Sequence, residues 1–212
     1  MSRPPINYGY DPGVLPSMID TARRHLAKDR FFTEALAGCF RPGSILEIGA
    51  GCGQLSELLR QRQLDAVASD IQPFFVDYMV SRGLPATVLD ALDLLAGIDA
   101  PYDNIFSQSI STLINPDPDT IRRTYESVGA ALKPGGRFIF ILPSRWGEHW
   151  SKASDHEQIA QAAGLLLLRR FHNQALPSPF YTRLPISAMR MIEGSIGRFV
   201  GISWVLVFAR AS

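Results

Sequence analysis

The chain has 212 residues, of which 46% are hydrophobic and 19% charged, with a formal net charge of +1. This composition excludes a disordered chain and leaves no global field to draw nucleic acid or an anionic membrane. Two cysteines, Cys39 and Cys52, exclude a disulfide framework.

The length fits one α/β domain. Free thiols, no apolar segment of the signal-peptide kind near Met1 and no run long enough to span a membrane together point to a cytoplasmic protein. The arginines come as scattered pairs (Arg23-Arg24, Arg122-Arg123, Arg169-Arg170), which read as solvated faces or a small phosphate-binding patch, not as a basic tract.

In chain order, Ile19, Ala22, His25-Leu26 and Phe32 recur at helical spacing, so 12–38 reads as one or two helices. A short apolar strand over 44–48 runs into glycines. Leu55, Leu58 and Leu59 then put one apolar face on a helix over 54–62. A strand over 66–69 stops at Asp70, and a helix over 74–81 closes at Gly83. Strands follow at 86–89 and 104–107. A helix over 119–132 ends at Pro134 and Gly135, and a strongly apolar strand covers 137–142. A helix over 155–163, a strand over 165–171, a proline-bearing stretch and a last strand over 202–209 complete the pattern. Alternation of this kind predicts a three-layer sandwich around a mostly parallel sheet, because parallel neighbours need a crossover and a helix is the usual one. Ligands on such sheets sit beyond the carboxyl ends of the strands, so polar residues there are the candidates for function.

The sharpest local signal is Ile45-Leu46-Glu47-Ile48-Gly49-Ala50-Gly51-Cys52-Gly53-Gln54. An apolar strand enters three alternate glycines and a helix starts at once, which suits close approach of backbone to a ligand. A dinucleotide fingerprint needs its third glycine where Gln54 stands, so that reading fails. The pattern resembles motif I of the class I S-adenosylmethionine-dependent methyltransferases, E/D-x-G-x-G-x-G, at Glu47, Gly49, Gly51 and Gly53. Leu132-Lys133-Pro134-Gly135-Gly136-Arg137-Phe138 is similar to that family's turn into its fifth strand, and the resemblance runs over about 41–171 with a seventh strand near the end.

The resemblance implies a Rossmann-like sheet of seven strands, the last antiparallel, and S-adenosylmethionine as cofactor. It implies that Asp70 accepts hydrogen bonds from the ribose hydroxyls, that Ile71 and Gln72 border the adenine, and that Asp90 and Ala91 meet its exocyclic amine. Glu47 orders the glycine loop, with Ala50 inside it. Ser107 and Gln108, after the fourth strand, are candidates to hold the methionyl end or the acceptor. The N/D-P-P-Y/F motif of the enzymes that methylate nucleic acid bases or glutamine is absent, since Ser107-Gln108-Ser109-Ile110 stands there.

A sulfonium methyl group is already activated, so placement and exclusion of water matter more than a base. Three residues are candidate catalytic groups: His149 between Trp146 and Trp150, Gln108, and Tyr10 of the N-terminal segment. No metal-ligand spacing is seen, and no metal is expected. Residues 1–40 read as a helical cap, with 6–16 a lid over bound ligand, and 41–212 as the cofactor-binding part of one domain. The reaction implied is in-line methyl transfer to an O or N acceptor on a small molecule, which is the expected partner, with neither nucleic acid nor membrane. The alternatives are attack at another sulfonium carbon, such as cyclisation by the cofactor's own amine, and a non-catalytic cofactor-binding subunit. No oligomeric state follows from the sequence.

Overall fold

A computed structural model describes residues 11–114, 117–143, 153–173, 181, 183–185, 187–189, 191–192, 195 and 203–211. At its centre is β1 (Ile45–Ile48), whose four residues are all buried. A parallel strand covered on both faces must be apolar throughout, and Glu47 is the one exception here. β1 pairs in parallel with β2 (Ala66–Asp70) on one side and β4 (Tyr102–Gln108) on the other. β2 pairs with β3 (Ala86–Val88), and β4 with β5 (Leu132–Pro143). β7 (Ser203–Arg210) runs antiparallel between β5 and β6 (Leu165–Asn173), giving the order β3-β2-β1-β4-β5-β7-β6. The expected seven-stranded, mostly parallel sheet with an antiparallel last strand is therefore present. Its strand order reverses between β1 and β4, where a crevice opens at the carboxyl ends.

Alternate residues of β5 separate the two cores. Phe138, Phe140 and Leu142 join Tyr125 and Phe208 on one face, while Ile139 and Ile141 join Phe32, Leu36 and Leu59 on the other. The second face is covered by α1 (Leu15–Ala37) and α2 (Gln54–Arg60). Where the periodicity allowed one helix or two, α1 is a single helix of 23 residues. Asp11 caps the turn that leads into it by accepting from the Gly13 N–H at 2.7 Å. α3 (Pro73–Ser81) covers the β2–β3 end. α4 (Pro118–Ala131) and α5 (Ala153–Ala162) pack on the first face, with Asp117 capping α4. Between them Tyr125 Oη and His156 Nδ1 lie 2.9 Å apart in the core. Burial pushes His156 down to about 4, so this histidine is a neutral packing residue.

The fifth strand starts earlier than its apolar run. Leu132 already pairs with Tyr102, and the ladder resumes with Asn104 against Arg137, so Lys133 to Gly136 is an irregularity within β5. Gly135 takes φ +67° there, and Lys133 Nζ reaches Asp103 Oδ2 at 2.7 Å. That ammonium holds the Asp103 carboxyl below its usual range, and the same oxygen accepts from the Ser44 N–H at 3.0 Å. The turn thereby ties the start of β1 to the start of β4, and it takes no part in the cavity described next.

Candidate functional site

Gly49, Gly51 and Gly53 all adopt left-handed backbone, with φ of 70°, 54° and 71°. Their surroundings differ. A Cβ on Gly49 would lie 2.9 Å from Ile110, and one on Gly53 would meet Leu84 at 2.5 Å and Met79 at 2.6 Å. A Cβ on Gly51 would meet only Met18 Cε, at 3.8 Å. Gly49 and Gly53 are therefore glycines by packing, whereas Gly51 borders open space. Ala50 anchors the loop through its N–H to the Ser69 carbonyl at 2.8 Å.

Glu47 lies beneath this loop. Its Oε2 accepts from the Ser56 N–H at 3.0 Å and the Ser56 hydroxyl at 2.6 Å. α2 starts at a glycine with no side chain to cap it, so Glu47 supplies the missing acceptor from a neighbouring strand. Burial pushes the Glu47 carboxyl up to about 7; the Ser56 bonds oppose this, and nearby Asp70 and Asp29 add to it. Because this value exceeds the ordinary 4.5, the stability linked to the bound proton is complete below about pH 4.5 and is lost as pH rises through about 7. Glu47→Gln keeps an acceptor for both Ser56 donors and removes that loss. The melting temperature of the native chain is expected to fall more than the variant's between pH 5 and 8, by the equivalent of about 1–3 kcal/mol. Parallel melting curves for the two chains would show that Glu47 does not titrate there.

Asp70 ends β2 and is buried. One carboxylate oxygen accepts from the Gly51 N–H and the other from the Gln72 N–H, both at 2.9 Å. Burial raises its pKa, and these backbone bonds work against the rise. Asp90, beyond β3, accepts from the Leu92 N–H at 2.9 Å and so forms a local turn as well.

These ends meet at a cavity of about 270 Å³. Gly49, Gly51, Asp70, Ile71, Gln72, Asp90, Ala91 and Gln108 all line it, as the sequence pattern expects of a shared ligand site. Glu47, Ala50, Gly53 and Ser107 lie outside the lining. Glu47 serves the helix start, Ala50 and Gly53 hold the loop, and Ser107 faces the core with its hydroxyl unpartnered among the described residues. The remaining walls were not singled out from sequence: Met18 of α1, Phe75 of α3, Leu89, and the run Ser109 to Thr112 with Ile114 after β4. Phe75 lies in the first turn of α3 and Ile110 packs on Gly49, but apolar residues in such places look like ordinary core. Tyr10 and His149, like Trp146 and Trp150, lie outside the described residues.

Asp70 and Asp90 are the ionisable groups among the lining residues, both at the β2–β3 end. The β4 end offers an amide, hydroxyls and isoleucines. Such a site can hold a cation with a polar body and an apolar face, but the described residues set no proton acceptor at the β4 end. Among the described residues no group of three His, Cys, Asp or Glu side chains is placed to hold a metal ion, and no helix is long and apolar enough to cross a membrane.

No protein-family model matches the chain, and no curated protein matches it in sequence. Solved structures do match its architecture. A TehB-like S-adenosylmethionine-dependent methyltransferase from Corynebacterium glutamicum superposes with a TM-score of 0.67 over 95% of this chain and 100% of the other, at 17% identity. The chain has the Rossmann-like methyltransferase fold. The CcbJ methyltransferase from Streptomyces caelestis shares this methyltransferase fold with a TM-score of 0.64 at 12% identity, covering 87% of this chain and 90% of its own. So does the magnesium protoporphyrin IX methyltransferase from Synechocystis, solved with bound S-adenosylmethionine, with a TM-score of 0.60 at 14% identity over 97% and 88% of the two chains. In this chain's version of the methyltransferase fold, the carboxyl ends of β1 to β4 all open into the one cavity.

Proposed function

We propose that the chain transfers a methyl group from S-adenosylmethionine to an O or N atom of a small molecule. The observation that carries the reading is convergence: residues picked out after four separate strands line one cavity at the point where strand order reverses. The cavity also suits the cofactor. The Asp70 oxygens accept from the Gly51 and Gln72 N–H groups, with the Ile71 N–H also bearing on the carboxylate. Lone pairs remain for hydroxyls, so the pair can grip a ribose diol. Asp90 and Ala91 stand where an adenine edge would lie, with Ile71, Phe75 and Leu89 offering apolar surface to the ring. The open side of Gly51 leaves room for the methionyl portion, and Gln108 is placed to orient either that portion or the acceptor. Bound there, the cofactor supplies an activated methyl group. The chain's own part is then to align the acceptor and keep water out.

Met18 supports the cap assigned to residues 1–40, because α1 already contributes a wall of the cavity. Of the lid proposed for 6–16, residues 12–16 form the turn Pro12–Val14 and the start of α1, and residues 6–10 lie outside the described residues. His149 and Tyr10 remain candidates to complete the acceptor side.

Calorimetry is expected to show S-adenosylhomocysteine binding and no NAD binding. Incubation with S-adenosylmethionine and a panel of acceptors, followed by mass analysis, is expected to yield S-adenosylhomocysteine. A methylthioadenosine product would instead place the attack at another sulfonium carbon. One observation favours a second reading, the partner subunit: Leu166, Leu167 and Leu168 are 50%, 38% and 55% exposed on the edge strand β6. That reading predicts cofactor binding without turnover in the isolated chain.

A further inference from the structure

On a neighbouring face of α1 lies a second cavity, also about 270 Å³, walled by α1, α2 and α3. Met18 faces the first cavity, while Ile19, Ala22, Arg23, Leu26 and Arg30, all on one stripe of the same helix, face the second. α3 contributes Tyr78, and Arg82 just beyond its end joins it. Arg82 is already positioned: Glu57 Oε2 holds it at 2.6 Å, and its guanidinium lies 5.6 Å from the Tyr78 ring centre.

The charge of this cavity is out of proportion to the chain. Arg23, Arg30 and Arg82 line it against a single carboxylate, Glu57, a formal +2 where the whole protein carries +1. Glu57 is engaged by Arg82, and among the described residues Arg23 and Arg30 have no acidic partner. Their neighbour Arg24 turns away and donates to the Thr21 hydroxyl at 3.1 Å. The first cavity carries the opposite sign, with Asp70 and Asp90 and, among the described residues, no cationic side chain. An anion is thus drawn to one cavity and a cation to the other. Beneath the arginines, Ile19, Ala22, Leu26 and Leu58 form an apolar floor.

We infer that this cavity is a second ligand site, for a small molecule bearing a phosphate group on an apolar body. Phosphate fits because its three acceptor oxygens and its charge of about −1.5 to −2 let it engage more than one guanidinium group at once, where a carboxylate has two oxygens and a single charge. The amide of Gln61 adds a neutral donor, while Gln54 Nε2 donates to Asp29. The apolar floor selects an organic phosphate over the inorganic ion. Cys52 of the glycine loop also lines this cavity, so its occupant touches the back of the loop whose front borders the first cavity.

The test is calorimetric titration of the purified full chain with phenyl phosphate, inorganic phosphate and phenol at fixed ionic strength. Phenyl phosphate is expected to bind, inorganic phosphate about tenfold or more weakly, and phenol not at all. Arg23→Gln combined with Arg30→Gln is expected to weaken phenyl phosphate at least about tenfold, while Arg24→Gln leaves it unchanged. S-adenosylhomocysteine affinity, measured in the same variants, is expected to stay at the native value, so the result is independent of the methyl-transfer reading. Absence of phenyl phosphate binding, or equal binding by the native chain and the double variant, would overturn the inference.

Discussion

Replacing Asp70 by alanine is expected to weaken S-adenosylhomocysteine binding by about 2 kcal/mol or more, roughly thirtyfold, because each hydrogen bond to a charged acceptor is worth about 1.5–3 kcal/mol. The carboxylate also organises the site before any ligand arrives, by accepting from the Gly51 and Gln72 N–H groups at 2.9 Å. Asp70→Asn separates these roles, since it keeps one acceptor oxygen and loses the charge. Burial raises the Asp70 pKa above its ordinary 3.8, so the folded state disfavours the ionised form. Stability linked to that proton is complete below about pH 3.8 and lost at higher pH. The asparagine amide, however, leaves one of the Gly51 and Gln72 N–H groups without its acceptor, at a cost of about 1–3 kcal/mol. The variant should therefore melt below the native chain at acid pH, and by less at neutral pH. Calorimetry and thermal melting on the same samples read both effects. Native affinity in either variant would remove Asp70 from the site.

Such a prediction needed no structure to name its residue, and the reason is physical. Asp70 ends a strand, Gly49 and Gly51 bend the chain out of one, and both events interrupt an apolar run that is otherwise continuous. Interruptions are visible in sequence. Met18, Phe75 and Ile110 are not, because each sits in an apolar stripe that serves the core and turns only one edge toward the cavity. The same ambiguity applies to Glu47. The sequence marks it as odd within β1, and only the fold shows that Ser56, nine positions later, is its partner. The KPGG turn misled for a different reason. Proline and glycine end α4 as expected, but Leu132 is already paired with β4 before the turn, so the strand brackets the punctuation instead of following it. Neither did the arginine pairs declare themselves: Arg23 and Arg24 are adjacent in sequence, and the helix sends them to different surroundings.

The three glycines give the other large effect, and they are expected to fail in opposite ways. Gly53→Ala places a Cβ 2.5 Å from Leu84 Cδ2 and 2.6 Å from Met79 Sδ, at φ +71°. Left-handed strain costs about 1–2 kcal/mol and overpacking about 1–3 kcal/mol, so this variant should lose about 2–5 kcal/mol of stability. At this chain length that corresponds to a melting temperature lower by roughly 4–20 °C. Met79 is flexible and Leu84 lies at the edge of a small cluster, so the folded variant is expected to keep an affinity close to native. Gly51→Val meets no such obstacle, with Met18 Cε at 3.8 Å as its nearest neighbour. Its stability cost is the backbone strain at φ +54°, about 1–2 kcal/mol. What it fills is the open side of the loop, where the methionyl portion of the ligand is placed, and S-adenosylhomocysteine binding is expected to drop at least about a hundredfold, as an overlapping group leaves the ligand no unstrained pose. Melting without ligand and calorimetry with it should therefore rank the two variants in opposite orders. If Gly51→Val binds as the native chain does, the cavity in front of the loop is not the cofactor site.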